Sequence, residues 1–157
     1  CDVEDWTDII AISAGSGYTV GLKKDGTVIS TKSGTENEKN DVEDWQNIVA
    51  ISAGSQHTTA VKSDGTVLAT GDQTEGKCDV EEWKDIIDVS SGTNRTIGLT
   101  CSGEVIDTLG ITVQWKDLVE ISAGDDFFVV LRNDGIALPF GGLTRRNISA
   151  LTDIRIR

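Results

Sequence analysis

Residues 41–54 read DVEDWQNIVAISAG, and nearly the same phrase stands at 2–15 as DVEDWTDIIAISAG. It returns as DVEEWKDIIDVSSG at 79–92 and, eroded, as ITVQWKDLVEISAG at 111–124. Taking the tryptophans as register marks, Trp6 to Trp45 is 39 residues, Trp45 to Trp83 is 38 and Trp83 to Trp115 is 32, so the third unit has lost a loop. Thirty-six residues beyond Trp115, LTDIRIR begins with Leu151 where WTDIIAI begins with Trp6. A period in this range marks a solenoid, a propeller or an array. The 157 residues therefore divide into units 1–39, 40–77, 78–109 and 110–150 of a single repeat domain, with 151–157 as the first strand of a further unit.

Each unit reads as strands. IIAISAG (9–15) is a short apolar run ending in glycine, and YTVGLKKDGTVIST (18–31) is two strands joined at Asp25-Gly26. Asp64-Gly65 and Asn133-Asp134-Gly135 repeat the turn, with Ser102-Gly103 in the third unit. Asp-Gly between β-rich runs is a strong hairpin signal, expected here as a two-residue turn with φ > 0 at both central positions. The first strand carries Ile10 and Ile12 on one face and Ile9, Ala11 and Ser13 on the other. A strand with one solvated face would alternate apolar and polar, so this strand is expected to be buried on both sides between neighbouring sheets. Its taper to Ser-Ala-Gly suits sheets converging on an axis. The expected fold is all-β: a β-propeller, or part of one, of four consecutive three-stranded blades plus one extra strand.

In the second unit, Trp45, Ile48, Ala50 to Gly54, His57-Thr58, Lys62, Asp64 to Val67, Gly71 and Cys78-Asp79-Val80 resemble the regulator of chromosome condensation repeat. The first unit matches as far as Val28, the third keeps its first two strands, and the fourth diverges after Gly135. The resemblance implies a propeller, usually of seven blades, that binds other macromolecules and has no catalytic centre of its own. The family includes the exchange factor for the nuclear small GTPase and a secreted β-lactamase inhibitor protein. The short, bacterial-type units here are similar to the latter. The β-wedge insertion of the exchange factor has no counterpart in this sequence.

The formal net charge of −12 argues against nucleic acid or an anionic membrane as partner. No apolar run approaches the roughly 18 residues of a membrane span. Without an initiator Met or a signal peptide, the chain reads as mature or excised. Much of the acid lies in Asp2/Glu4/Asp5, Asp41/Glu43/Asp44 and Asp79/Glu81/Glu82, which recur with the repeat as solvated turns rather than as a calcium loop. Cys1 and Cys78 hold the same slot in different units, too far apart to bridge, so the thiols are expected to be free. Lipidation at Cys1 is a less simple account of that residue than its place in the repeat.

Chemistry is sparse. The single histidine, His57, sits in the family's ordinary histidine slot, with no nucleophile elbow near it. No phosphate loop or CxxC spacing occurs, and the expectation is a non-enzyme without catalytic, cofactor or metal residues. The informative comparison is internal. The tripeptides after the strand-ending glycines are Ser16-Gly17-Tyr18, Ser55-Gln56-His57, Thr93-Asn94-Arg95 and Asp125-Asp126-Phe127, and they change completely while the flanking scaffold barely does. Tyr18, Gln56, His57, Asn94, Arg95, Asp125, Asp126 and Phe127 are the candidate partner-binding residues. Tyr, Arg and similar anchors among short polar residues suit an interface hot spot. The opposing reading has these side chains plugging the mouth of the ring.

The expected function is a protein–protein interaction module, with inhibition of the partner as one form. The alternatives are a structural segment of a larger surface or repeat protein, or an exchange-factor-like regulator of a small GTPase. Four narrow blades leave two open faces, so either a homodimer completes the ring or the chain is a fragment of a longer propeller. Bacterial cytoplasm and a cell-surface or secreted location both fit the sequence.

Overall fold

The computed structural model describes residues 3–31, 41–110, 112–113 and 115–141. Cys1 and the LTDIRIR segment lie outside the described residues. The architecture is all-β, in four antiparallel sheets each made of consecutive strands. The first holds β1 (Ile9–Ala14), β2 (Thr19–Lys23) and β3 (Val28–Ser30), and the second holds β4 (Ile48–Ala53), β5 (His57–Lys62) and β6 (Val67–Gly71). The third holds β7 (Ile86–Ser91), β8 (Thr96–Thr100), β9 (Val105–Asp107) and a short β10 (Thr112–Val113). The fourth holds β11 (Leu118–Ala123), β12 (Phe127–Arg132) and β13 (Ala137–Gly141). The only helical element among the described residues is a 3-10 turn at Thr74–Gly76.

The hydrophobic core lies between sheets. Tyr18, Val20, Leu22 and Val28 of the first sheet pack on Val42, Trp45, Ile48 and Ala53 of the second. Val61 and Val67 of the second meet Val80, Ile86 and Val89 of the third. Ile97, Leu99 and Val105 of the third meet Leu118, Ile121 and Phe128 of the fourth. This is the nearest-neighbour arrangement that repeat architectures use. The recurring tryptophan covers the middle strand of its own sheet. A Cβ on Gly21 would stand 2.7 Å from the Trp6 ring, and one on Gly98 2.8 Å from the Trp83 ring.

Backbone contacts repeat with the same regularity. Ser13, Ser52 and Ser90 each offer Oγ to the next sheet, accepting at 2.9 Å from the N–H groups of Ala53, Ser91 and Ala123. At the other end of the strands, Gly26 O accepts from Ile48 N at 2.9 Å, and Gly65 O accepts from Ile86 N at 3.0 Å. The glycine ending each first strand is needed for close approach. A Cβ on Gly15 would lie 2.5 Å from Gly54 O, one on Gly54 2.5 Å from Gly92 O, and one on Gly92 would run into Gly124 O.

Two local expectations change. In the Asp-Gly turns only the glycine has positive φ, at +82° for Gly26 and +80° for Gly65, while Asp25 and Asp64 do not. Gly26 N donates to Lys23 O and Lys23 N to Thr27 O, giving a three-residue loop with a glycine bulge rather than a two-residue turn. Asp25 Oδ1 accepts from both the backbone and the hydroxyl of Thr27, an arrangement that stabilises the longer loop.

The first strands are also not buried on both faces. Each carries a register shift, at Ile9/Ala11, Ile48/Ala50, Ile86/Asp88 and Leu118/Glu120. The extra residue of each bulge (Ile10, Val49, Ile87 and Val119) is turned out into solvent. In the first sheet, Ile12 is exposed as well, because among the described residues no sheet covers that face.

Ile97, fully buried between the third and fourth sheets, is expected to cost about 2–5 kcal/mol when changed to Ala, by lost burial and a residual cavity. Gly54→Ala is expected to cost about 1–3 kcal/mol by forcing two backbones apart. Urea unfolding monitored by circular dichroism reads both effects.

Candidate functional site

The corners after β1, β4, β7 and β11 come together at one end of the array. Ala14 to Ser16, Ala53 to Ser55, Ser91 to Thr93 and Ala123 to Asp125 line a shared groove of about 310 Å³. Ser16 N donates to Ser55 O at 3.3 Å and Ser55 N to Gly92 O at 3.1 Å. Thr93 Oγ1 donates to Asp125 Oδ1. Antiparallel order brings the ends of the third strands to the same rim, where Asp72 N donates to Gln56 O at 2.8 Å. The opposite end holds the hairpin turns beside Asp8, Asn47, Asp85 and Asp117. These four residues have φ between 58° and 64°, a region that Asp and Asn tolerate better than most residues.

The structure sorts the variable tripeptides by slot. The second slot is exposed in every sheet, occupied by Gly17, Gln56, Asn94 and Asp126. The third slot turns inward in three of the four. Tyr18, His57 and Arg95 are buried, which corrects the expectation that they stand on the rim as exposed anchors. The reason is strand pairing: the third slot opens or abuts the middle strand and faces the following sheet. Phe127 holds the same slot in the fourth sheet and is 48% exposed. Asp125 and Asp126 are exposed beside it.

Tyr18 and His57 complete polar links between units, while Arg95 pairs within its own sheet and reaches the next through an aromatic ring. Tyr18 Oη donates to His57 O at 2.6 Å and receives the Thr58 hydroxyl at 3.2 Å. His57 Nε2 lies 2.9 Å from Thr96 Oγ1, and that hydroxyl donates to Lys77 O at 2.8 Å. The threonine proton being committed, His57 Nε2 carries the hydrogen and Nδ1 is left without a partner against Gly54. Burial, reinforced by the nearby Lys77 charge, holds the imidazole down at about 4. Arg95 pairs with Asp107 at 3.2 Å, both buried, with its guanidinium 6.0 Å over the Phe128 ring. A neutral, enclosed histidine bonded to a threonine is a packing element rather than a general base.

Sequence reasoning missed the contribution of the loop after β6. Lys77, almost wholly buried, reaches Asp72 at 2.7 Å and, with Thr74, holds that carboxyl down at about 2. This clamp supports Gln73, Thr74 and Glu75 on the rim beside Gln56. The segment GDQTEGKCDV was legible as part of the repeat, but only the sheet order brings it to the rim. With Arg95 and Lys77 both paired and buried, the exposed rim is acidic and polar, carrying Glu75, Asp125 and Asp126. No group of three or more His, Cys, Asp or Glu side chains suited to a metal occurs among the described residues.

Sheets stacked in chain order with their loops gathered at one end define a blade array of the β-propeller class. Residues 48–77 match the family described as regulator of chromosome condensation (RCC1) repeat. No curated protein matches the sequence. Among solved structures, Prp20p from Saccharomyces cerevisiae, described with its binding to Gsp1p and histones, aligns with TM-score 0.69 and 14% identity over 85% of this chain and 45% of that one. The CRINKLY WD40 ectodomain of the Arabidopsis thaliana receptor kinase ACR4 aligns at 0.69 and 21% identity, over 88% of this chain and 55% of that one. The computationally designed Ika4 protein aligns at 0.51 and 18% identity, over 85% of this chain and 90% of that one. The fold is that of the RCC1 propellers, and this chain spans about half the length of the natural relatives.

His57 is the chain's single histidine, so its ring protons are resolved by proton NMR without assignment. They are expected to titrate near pH 4 in the folded protein. Because the unfolded state takes up this proton below about 6.5 and the folded state does not, stability is lost as pH falls from 6.5 toward 4, by up to about 3 kcal/mol. Denaturation midpoints across that window should lose this slope in His57→Gln. The thiols give a second check. Burial pushes the Cys78 thiol up to about 11, whereas Cys101 is exposed. At pH 8, Cys101 should react with a thiol reagent rapidly and Cys78 slowly.

Proposed function

We propose that this protein is a non-catalytic protein-binding module that grips its partner with the loop rim. The observation carrying the reading is the sorting of the tripeptides. Their second slot is exposed in every sheet and different in every sheet, on a scaffold that hardly varies. Gln56, Asn94, Asp125 and Asp126, with Glu75 beside them and Phe127 at one end, form the contact surface, while Tyr18, His57 and Arg95 set the loops from beneath. An acidic, hydrogen-bonding rim fits a partner whose complementary face is basic, and association is then steered by charge and weakened by salt. A partner whose own functional surface is covered in this way would be inhibited. The described binding of Prp20p to Gsp1p and histones belongs to that protein and supports only the general mode. We further propose that the working form is a ring larger than four sheets.

The test is affinity capture from the source organism with wild type and with Asn94→Lys, Asp126→Lys and Glu75→Lys, all at exposed positions. A genuine partner should bind each variant about 10-fold or more weakly, with its wild-type affinity falling as salt rises. A partner indifferent to all three changes would place the site elsewhere and favour the structural-segment reading.

A further inference from the structure

The groove where the four corners meet owes its shape to the internal junctions, because every sheet contributes the same three consecutive positions to it. Its composition is one-sided. Alanine and glycine supply most of the walls, and the polar side chains are hydroxyls together with the carboxylate of Asp125. No cationic side chain is among the lining residues.

The backbone donors around this groove are already spent. Each strand-ending glycine donates its N–H to the carbonyl three residues on, as Gly54 does to His57 O at 2.8 Å. Serine hydroxyls hold the N–H groups of Ala53, Ser91 and Ala123. Ser16 N and Ser55 N are taken by carbonyls of the next corner. What the corners have left to offer a ligand is acceptor capacity, since a carbonyl oxygen has two lone pairs and one N–H fills only one of them.

A second observation, beneath the floor, has the same sign. His57 is fully buried and its bare Nδ1 has no partner. That nitrogen lies 2.8 Å from where a Cβ on Gly54 would stand, and Gly92 O lies 2.5 Å from the same point. Lone pairs of a ring and of a carbonyl thus converge on the gap between two corners of the groove, with the negative end of the imidazole dipole turned toward it. Lys77 and Arg95 do not answer it, being committed to Asp72 and Asp107.

We propose that the groove takes one arginine side chain of the partner, its guanidinium lying across the Gly54 and Gly92 corners with the Asp125 carboxylate at the edge. The proposal rests on the rim reading above and names the group that the acidic rim receives. A guanidinium carries five N–H donors in one plane, which suits acceptors spread along a shallow floor, and it is more weakly hydrated than an ammonium. The missing Cβ atoms at the glycine corners let a flat group lie close to the carbonyls.

Proton NMR of the full chain tests this without a known partner, because the ring signals of the single histidine report from beneath the groove. Titration with N-acetyl-arginine amide at neutral pH is expected to shift them saturably, and the neutral isostere N-acetyl-citrulline amide is expected not to. Asp125→Asn keeps an acceptor for Thr93 and removes the charge, and should weaken the arginine derivative about 5-fold. Asp85→Asn removes the same charge at the opposite end, where Asn47 already holds the equivalent position, and should change nothing. The absence of a saturable shift overturns the proposal. So does an equal response to citrulline amide, or an equal affinity in the two variants, which would mark a general effect of the −12 charge. Rim variants that release a captured partner while arginine amide leaves His57 unmoved would sink the groove and spare the rim reading. The reverse pattern would sink the rim reading alone.

Discussion

The structure depends on how closely one sheet can approach the next at the narrow end of the array. Glycine at the end of each first strand lets the carbonyl of the neighbouring unit come within about the space of a missing Cβ, at Gly15, Gly54 and Gly92 in turn. The serine two residues before it then reaches across to cap a backbone N–H of the following sheet. Main-chain polar groups are thereby satisfied where the sheets are most crowded, and buried groups of this kind are costly when left unpaired. The hydrophobic faces further out can widen because this hinge of small residues is tight.

The same approach determines what each variable loop can do. With the corners held together, the third residue of the first three tripeptides turns inward and becomes part of the packing between units. Tyr18, His57 and Arg95 solve that position with different chemistry: a phenol on two carbonyls, a neutral imidazole on a threonine, and a guanidinium on a buried carboxylate. Buried polar links of this sort fix register more than they add stability, since each carries a desolvation cost. The second residue stays exposed and differs from sheet to sheet. Scaffold and binding surface are in this way divided within a span of three residues.

Repetition also explains the apolar surface the chain exposes. The bulge residues Ile10, Val49, Ile87 and Val119 recur on one edge because the same register shift recurs in every first strand. Ile12 and Phe127 have another origin. Each occupies a position that is covered wherever a neighbouring sheet stands, and each is exposed where no sheet among the described residues lies against it.

Much of this was legible in the sequence. The phrase DVEDWQNIVAISAG and its copies determined the repeat, the strand order and the blade class, because the spacing of Trp, Asp-Gly and Ser-Ala-Gly follows from local backbone geometry and short-range pairing. The Asp or Asn two residues after each tryptophan meets a local requirement, a left-handed φ at Asp8, Asn47, Asp85 and Asp117. The loop type was misread, since Asp-Gly suits both a two-residue and a three-residue hairpin and the hydrogen bonds of Thr27 decide between them. Only the tertiary structure decided which residues of the rim face water. Tyr, His and Arg look like anchors in a list of residue types, yet the side on which a strand residue lies depends on where pairing starts and on whether another sheet covers it. Phe127 and Ile12 show the point most clearly: their repeat positions promise burial, and the absence of a neighbour among the described residues leaves them in solvent.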